Sequence, residues 1–213
     1  NRPGDCRTDH LHGHCLHIIS HSLAGRYVII LVDRNDISIY GQENIRTTYK
    51  LAKMNLAIRG ITANLGESEA DTFFKDQHKD LKADFIMANP PFNQKKWRKE
   101  DELTDDERWQ GYDTPPTSNA NYGWILNILS KLSVDGTAGF LLSNSSLSGD
   151  GTEYNIRKKL IENDLVEAIC ILPMNLFYTT DISVCLWVVT NNKDERIKEI
   201  NGEDVRIRNR KGI

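Results

Sequence analysis

In the sequence ADFIMANPPF, residues 83–92, a largely apolar run is followed directly by asparagine and two prolines. Residues 83–88 predict a buried strand, and the proline pair after Asn89 ends it, because proline lacks a backbone N–H and restricts its own φ. Ligands of α/β sheets bind outside the carboxyl ends of the strands. The tetrapeptide NPPF at residues 89–92 is therefore the first candidate for a functional site.

Strand and helix patterns alternate on both sides of this segment. Further strands are predicted over residues 37–40, 61–65, 138–142, 166–172 and 182–189. Helical faces are predicted from Leu51, Met54 and Ile58, from Trp124, Ile125, Ile128, Leu129 and Leu132, and from Ile156, Leu160 and Ile161. Alternation of this kind predicts an α/β fold with a mostly parallel sheet and helices on both faces. Because only residues 173–181 separate the last two strands, we expect those strands to be antiparallel neighbours.

The local signals also predict where elements begin, turn and end. Thr47 or Thr48 is expected to cap the first helix and Thr152 the third, and a turn is expected at Asp135 and Gly136. Residues 93–120 are too long for an ordinary connection, so they predict a functional or disordered loop. We divide the chain into an unmatched leader (1–36, disordered or divergent), a core (37–191) and a charged tail (192–213).

Composition limits the class of protein. Hydrophobic residues make up 39% and charged residues 27% of the 213 residues, and no apolar run approaches the roughly 20 residues of a membrane span. No secretory signal is recognisable, so we expect a cytoplasmic protein without membrane contact. A net charge of -3 gives no basic footprint for nucleic acid, so another subunit or segment would have to supply most phosphate contacts. Cys170 and Cys185 lie in apolar runs and are expected in the core.

The NPPF motif directly after an apolar strand resembles that of the adenine amino methyltransferases, where it closes the fourth strand and grips the target base. The resemblance covers most of residues 37–191 and is to the modification subunits of type I restriction systems. Other matching segments are residues 38–43, 53–58, 70–73, 119–122, 142–144, 156–158 and 172–173. The resemblance implies a Rossmann-like methyltransferase sheet with an antiparallel last strand.

The chemistry of an aromatic amine explains the motif. Its lone pair is delocalised into the ring, so acceptors for its two N–H groups are needed to free that pair for attack. We expect the Asn89 side-chain oxygen and the Pro90 carbonyl to supply them, with Pro90 and Pro91 keeping the backbone extended in advance. Phe92 offers a face for an extruded base. The alternative is a strand-ending turn with a packed Phe92.

Three further residues take cofactor roles by resemblance. An acid at Glu43 binds the ribose hydroxyls of S-adenosylmethionine in the family, and at Asp71 an acid contacts the cofactor's adenine amino group while its apolar neighbour, here Phe73, packs on the ring. Taken alone, Glu43 is equally explained as a solvated acid and Asp71 as a loop residue that begins a turn. Phe177 or Tyr178 is expected to hold the flipped base beside Phe92, the alternative being a plug under the sheet edge.

The leader departs from the family. The Gly-rich loop that wraps the methionine part of the cofactor has no counterpart: residues 27–32 could form a strand, but residues 33–36 after it contain no glycine. Five histidines lie between His10 and His21, yet their spacing fits no zinc pattern, so we expect no metal site. A nicotinamide dehydrogenase is disfavoured because the Gly-rich fingerprint is missing.

The resemblance implies a function and partners. The expected enzyme transfers methyl from S-adenosylmethionine to the exocyclic amine of adenine in DNA, together with the specificity subunit and the restriction subunit of the same system. The alternative is a degenerate methyltransferase fold that acts only as a protein or DNA interaction module.

Overall fold

A seven-stranded sheet forms the centre of the molecule. The computed structural model describes residues 14–20, 37–174, 176–177, 181–191, 196–200 and 203–208, with side chains only between residues 37 and 191. The strands are β1 (His14–Ser20), β2 (Ile37–Gln42), β3 (Ala63–Asn64), β4 (Ala83–Asn89), β5 (Leu132–Ser143), β6 (Val166–Ile171) and β7 (Val184–Thr190). The helices are α1 (Arg46–Ile58), α2 (Asn121–Ser130) and α3 (Thr152–Glu162).

The strand order is β3-β2-β1-β4-β5-β7-β6. The first five strands of this order are mutually parallel, whereas β7 runs antiparallel to both of its neighbours. The predicted antiparallel pairing of the last two strands is thus confirmed, since the short connection leaves no room for a helical crossover.

The helices cover both faces of the sheet. The β2-α1-β3 crossover moves toward one edge, while α2 and α3 lie in crossovers that move toward the other edge, so right-handed connections put α1 opposite α2 and α3. Two separate cores agree with this arrangement, a small one under α1 and a large one shared by α2, α3 and the sheet. The predicted α/β fold, with a mostly parallel sheet, an antiparallel last strand and helices on both faces, is confirmed.

The predicted face of α1 was wrong. Leu51, Met54 and Ile58 are 54%, 59% and 76% exposed, and the helix instead buries Tyr49, Ala52 and Leu56. Both sets have the spacing i, i+3, i+7, so periodicity cannot choose between them. Packing decides, because the Tyr49 side chain lies against the segment after β3 and its hydroxyl donates to the Gly66 carbonyl at 2.9 Å.

The start of the helices and one strand also differ from expectation. Helix α1 begins after Ile45 and α3 after Gly151, so neither Thr47, Thr48 nor Thr152 is a cap. Asp135 and Gly136 lie within β5, in a stretch where the register with β4 shifts between Leu132 and Thr137. A Cβ on Gly136 would lie 2.7 Å from the Ala83 carbonyl oxygen, so the irregular stretch of β5 requires glycine at this position.

Burial corrects several predicted core positions. Helix α2 is buried on all sides from Asn121 to Ile128 rather than amphipathic, because residues 93–120 fold over its outer face and bury Trp97 and Trp109. That segment is therefore packed and not a disordered loop. Ile161 is 61% exposed, and of the two predicted core cysteines only Cys185 is buried while Cys170 is exposed.

Parts of the leader and tail also form strands. Strand β1 lies inside the leader and pairs with β2 and β4 in the middle of the sheet, whereas the predicted strand at residues 27–32 lies outside the described residues. In the tail, β8 (Arg196–Ile200) and β9 (Glu203–Arg208) form an antiparallel hairpin. No helix in the described ranges is long and apolar enough to cross a bilayer.

Candidate active site

The carboxyl edge of the parallel strands brings the predicted residues together. Gln42 pairs with Ile19 and Asn89 with Ser20, so the ends of β2 and β4 flank the end of β1 at nearly the same level. Neighbouring strands are about 4.8 Å apart, which places the two ends about 10 Å from each other across β1. Glu43, which directly follows β2, therefore lies at the same edge as Asn89.

Glu43 and the turn at Asp71 are joined by the backbone. The Ala70 N–H donates to the Glu43 carbonyl at 2.8 Å. Glu43 is 2% exposed, and its Oε1 accepts from the Ile45 N–H at 2.9 Å, which fixes the direction of the carboxylate. The two predicted cofactor acids thus occupy adjacent positions at one end of the sheet.

The Asp71 turn presents a different ring from the one predicted. Asp71 Oδ1 accepts from the backbone N–H groups of Phe73 at 2.8 Å and Phe74 at 3.3 Å, which makes the carboxylate the centre of a tight turn. The Phe73 ring is 5% exposed and packs between Trp97 and Trp124, each with its centroid 4.4 Å away. Phe74 is 50% exposed, so it is the aromatic side chain of this turn that a ligand can reach.

Buried polar side chains hold the turn in place. Arg108 donates to the carbonyls of Thr72 at 3.0 Å and Phe73 at 2.7 Å while it pairs with Asp106 at 2.6 Å. Burial by itself would raise the pKa of the Asp106 carboxyl, but hydrogen bonds and charge from Arg108 lower it below its ordinary value. Gln42 donates to the carbonyls on either side of the turn, at Ala70 and Lys75.

The side-chain oxygen of Asn89 is a buried acceptor at the candidate site. It is screened from solvent and accepts no hydrogen bond from any residue that the structure describes. A buried acceptor without a donor costs about 1–3 kcal/mol, so such atoms in native proteins call for an explanation. Pro90, the next residue, is also buried. The predicted binding of an amine requires such an oxygen, one that is free to accept a hydrogen bond from the amine.

Asn93 anchors the far end of the motif, a role that sequence reasoning missed. Its backbone is left-handed (φ 53°), and its N–H donates to Asn121 Oδ1 at 3.1 Å. Asn93 Oδ1 accepts from Asn121 Nδ2 at 2.9 Å and lies 2.8 and 2.9 Å from the hydroxyls of Ser143 and Ser145. We call Asn93, Asn121, Ser143 and Ser145 the Asn93 cluster. It ties the motif to the start of α2 and the end of β5.

A signal for this cluster was available in the sequence. Segments 119–122 and 142–144 are part of the family resemblance, but only the structure shows that both meet Asn93. No comparable signal exists for Arg108, which lies in the polar stretch 93–120.

The two predicted base-holding aromatics are neighbours. The rings of Phe92 and Phe177 have centroids 5.9 Å apart at an interplanar angle of 50°. A base stacked between two rings needs a spacing of roughly 7 Å, twice a carbon contact distance, so the rings must separate to admit one. Tyr178, the other candidate, lies outside the described residues.

No group of three or more His, Cys, Asp or Glu side chains suited to a metal occurs in the part of the chain whose side chains are described. The histidines of the leader fall outside that part.

Comparisons with known proteins identify relatives of this chain. A sequence model of the N-6 DNA Methylase family matches residues 18–211, which includes part of the leader. Over 163 residues the chain is 48% identical to the type I restriction enzyme HindI methylase subunit of Haemophilus influenzae, covering 76% of this chain and 36% of that protein. It is 39% identical over 171 residues to the MjaIX methylase subunit of Methanocaldococcus jannaschii, covering 78% and 30%.

The fold has relatives among solved structures. A type I restriction-modification methyltransferase subunit from Streptococcus thermophilus superposes with a TM-score of 0.73 at 22% identity, covering 91% of this chain and 45% of that one. The chain spans about a third of the length of the two methylase subunits it matches. Because the family model matches most of the length of this chain, the chain belongs to the N-6 DNA methylase family.

Proposed function

We propose that the chain is the catalytic segment of an adenine-specific DNA methyltransferase that works within a type I restriction-modification complex. The observation that carries the proposal is the buried Asn89 Oδ1 at the carboxyl edge of the sheet, inside the NPPF motif, which accepts no hydrogen bond from the described residues. The family of the chain supports the same assignment.

The residues of the motif have different roles toward the target base. Asn89 Oδ1 and the Pro90 carbonyl accept its two N–H groups, which favours a pyramidal nitrogen whose lone pair is free to attack. The hydrogen bonds to these acceptors become stronger as positive charge develops on that nitrogen. They therefore stabilise the transition state more than they stabilise the bound base. Phe92 and Phe177 supply aromatic faces for a base that has left the helix.

The residues present also fit S-adenosylmethionine, which supplies the methyl group when bound. The buried Glu43 carboxylate, oriented by the Ile45 N–H, is placed to accept from ribose hydroxyls at the end of β2. Asp71 lies beside it for the adenine amino group, with the exposed Phe74 ring as the apolar neighbour in place of Phe73. Both lie on the β2 side of the end of β1, and Asn89 lies on the other.

The partners follow from the relatives, which are named as methylase subunits of type I restriction enzymes. We propose DNA as the substrate, a specificity subunit and a restriction subunit as partners, and the cytoplasm as the compartment. A degenerate module is the second candidate, because the sequence after β1 begins His21-Ser22 and contains only one glycine, Gly25, before residue 36.

A chimera tests the function. Residues 37–191 replace the corresponding segment of the Haemophilus influenzae methylase subunit, which is 48% identical, and the product is assayed for 6-methyladenine in DNA with that enzyme's specificity subunit. Methylation above that of an Asn89→Ala chimera supports the proposal. A folded chimera that binds its partner but forms no methyladenine favours the degenerate module.

Calorimetry of the 213-residue chain itself should detect only weak S-adenosylmethionine binding. The segment after β1 lacks the Gly-rich run whose backbone N–H groups would hold the methionine part of the cofactor. Micromolar affinity would contradict this expectation and show that the leader forms a cofactor site of another kind.

Substitutions at Asn93 should separate backbone conformation from hydrogen bonding. In the chimera, Asn93→Gly keeps the left-handed φ but removes the acceptor, and kcat should fall about 10- to 100-fold as the motif loses its anchor. Asn93→Asp keeps the acceptor and should recover most of that loss. The KM for S-adenosylmethionine should change little in either variant. Equal damage from both variants would show that the acceptor is not what matters.

A further inference from the structure

A basic turn follows the base-binding motif at a distance of three residues. Lys95, Lys96, Arg98 and Lys99 place four cations within five positions of a chain whose net charge is -3. Lys95 is at most about 11 Å from Phe92 between Cα atoms, because each residue spans no more than about 3.6 Å. We call residues 95–99 the basic turn.

The basic turn is rigidly built. Lys96 has a left-handed backbone (φ 52°), which is uncommon outside glycine, and its N–H donates to the Thr117 carbonyl at 3.1 Å. Trp97 is 6% exposed, and its indole N–H donates to the Pro116 carbonyl at 2.9 Å. A non-glycine residue held in this conformation by its surroundings is a feature that clusters at ligand clamps.

Two of the four cations are used by the turn itself. Arg98 donates to backbone carbonyls that include those of Glu102 at 3.0 Å and Pro115 at 2.6 Å. The Lys99 ammonium pairs with Glu102 at 3.5 Å. Lys95 and Lys96 are exposed, and neither ammonium takes part in any ion pair or hydrogen bond between residues that the structure describes. These two charges are available to a partner.

An open groove of about 880 Å³ lies beside the basic turn. Its walls carry the four cations against two acids, Glu100 and Glu102, together with the exposed Phe74 ring and the hydroxyls of Thr117 and Ser118. Cations and hydroxyl donors on one surface are the composition that proteins use against a nucleic-acid backbone.

We propose that Lys95 and Lys96 bind phosphates of the DNA strand that flank the adenine held by Asn89 and Phe92. The proposal rests on the proposed function and names how its substrate is held. An extruded base costs a few kcal/mol of lost stacking, which contacts to the flanking backbone help to offset, and the turn needs no ordering of its own backbone when it binds. The overall charge of -3 conceals this local basic surface.

The test measures the affinity of the 213-residue chain for a fluorescent duplex by anisotropy, from low to physiological salt. Lys95→Gln with Lys96→Gln should weaken binding about tenfold and lower the slope of log K against log salt by roughly two, since each phosphate contact contributes about 0.9. Lys95→Arg with Lys96→Arg should keep both. The matched control is Lys50→Gln with Lys79→Gln, which removes the same charge from exposed positions on α1 and near the start of β4.

Four results would overturn the proposal. Equal losses of DNA affinity in the test and control variants would show that only the net charge matters. Failure of the unsubstituted chain to bind duplex DNA at low salt would contradict the proposal directly. A loss of S-adenosylmethionine binding when Lys95→Gln and Lys96→Gln are made in the chimera, with DNA affinity intact, would assign the basic turn to the cofactor. A methylating chimera with no effect of Lys95 and Lys96 would overturn this inference alone, whereas a salt-slope effect without any methylation would overturn only the proposed function.

Discussion

Asn89→Ala should lower kcat for methyl transfer by the chimera by about 100- to 1,000-fold, the usual cost of losing one preorganised polar group at a reacting centre. The side-chain oxygen is needed mainly as charge develops on the amine, so the substitution should leave S-adenosylmethionine affinity within about twofold. Because Asn89 Oδ1 takes no partner from the described residues, its removal should not lower the melting temperature.

The control for this experiment is Asn55→Ala, on α1 and remote from the carboxyl edge, which should leave kcat unchanged. Rapid-quench kinetics and calorimetry together distinguish chemistry from binding. Equal loss of cofactor binding and methyl transfer in Asn89→Ala would point to a structural role for the residue and remove the observation on which the proposed function depends.

Asp76→Ala should destabilise the chain by about 3–5 kcal/mol, because it leaves the Lys131 ammonium buried without its counter-ion. The two side chains are 15% and 5% exposed and are joined by a short ion pair. Lys131 also donates to the carbonyls of His78 and Lys79, so the pair holds the end of the Asp71 loop against the start of β5. Urea unfolding measures the loss, and Glu162→Ala in an exposed helix pair with Lys158 is the control, expected to cost less than about 1 kcal/mol.

The same pair predicts how stability depends on pH. Burial alone would raise the pKa of Asp76, but the hydrogen bond and charge of Lys131 lower it below the ordinary value, as Arg108 does for Asp106. A carboxyl whose pKa is lower in the folded than in the unfolded state stabilises the fold above its unfolded pKa of about 3.9. The chain should therefore lose stability as pH falls below about 4, and Asp76→Ala should flatten that dependence. An unchanged pH profile in the variant would contradict the assignment.

Local patterning was sufficient for the order of the elements but not for their exposed faces. The strand that ends at Asn89 was predictable because a proline pair cannot continue a ladder, and the antiparallel last strand because its connection is short. The buried face of α1 was not, since two stripes with equal spacing compete and only the contact of Tyr49 with Gly66 selects one. The long segment 93–120 was misjudged because two tryptophans, Trp97 and Trp109, bury it against α2, and their partners are far away in sequence.

By itself the sequence determined the motif and its position at a strand end, because these depend on residue type and on neighbours along the chain. Only the tertiary structure decided that Asn93 anchors the motif, that Phe74 and not Phe73 is the reachable ring, and that two lysines of an acidic chain face a groove. The physical reason is that hydrogen-bond partners, burial and local charge are set by contacts between residues 20 to 50 positions apart, such as Asn93 with Ser143, for which a linear pattern contains no distance.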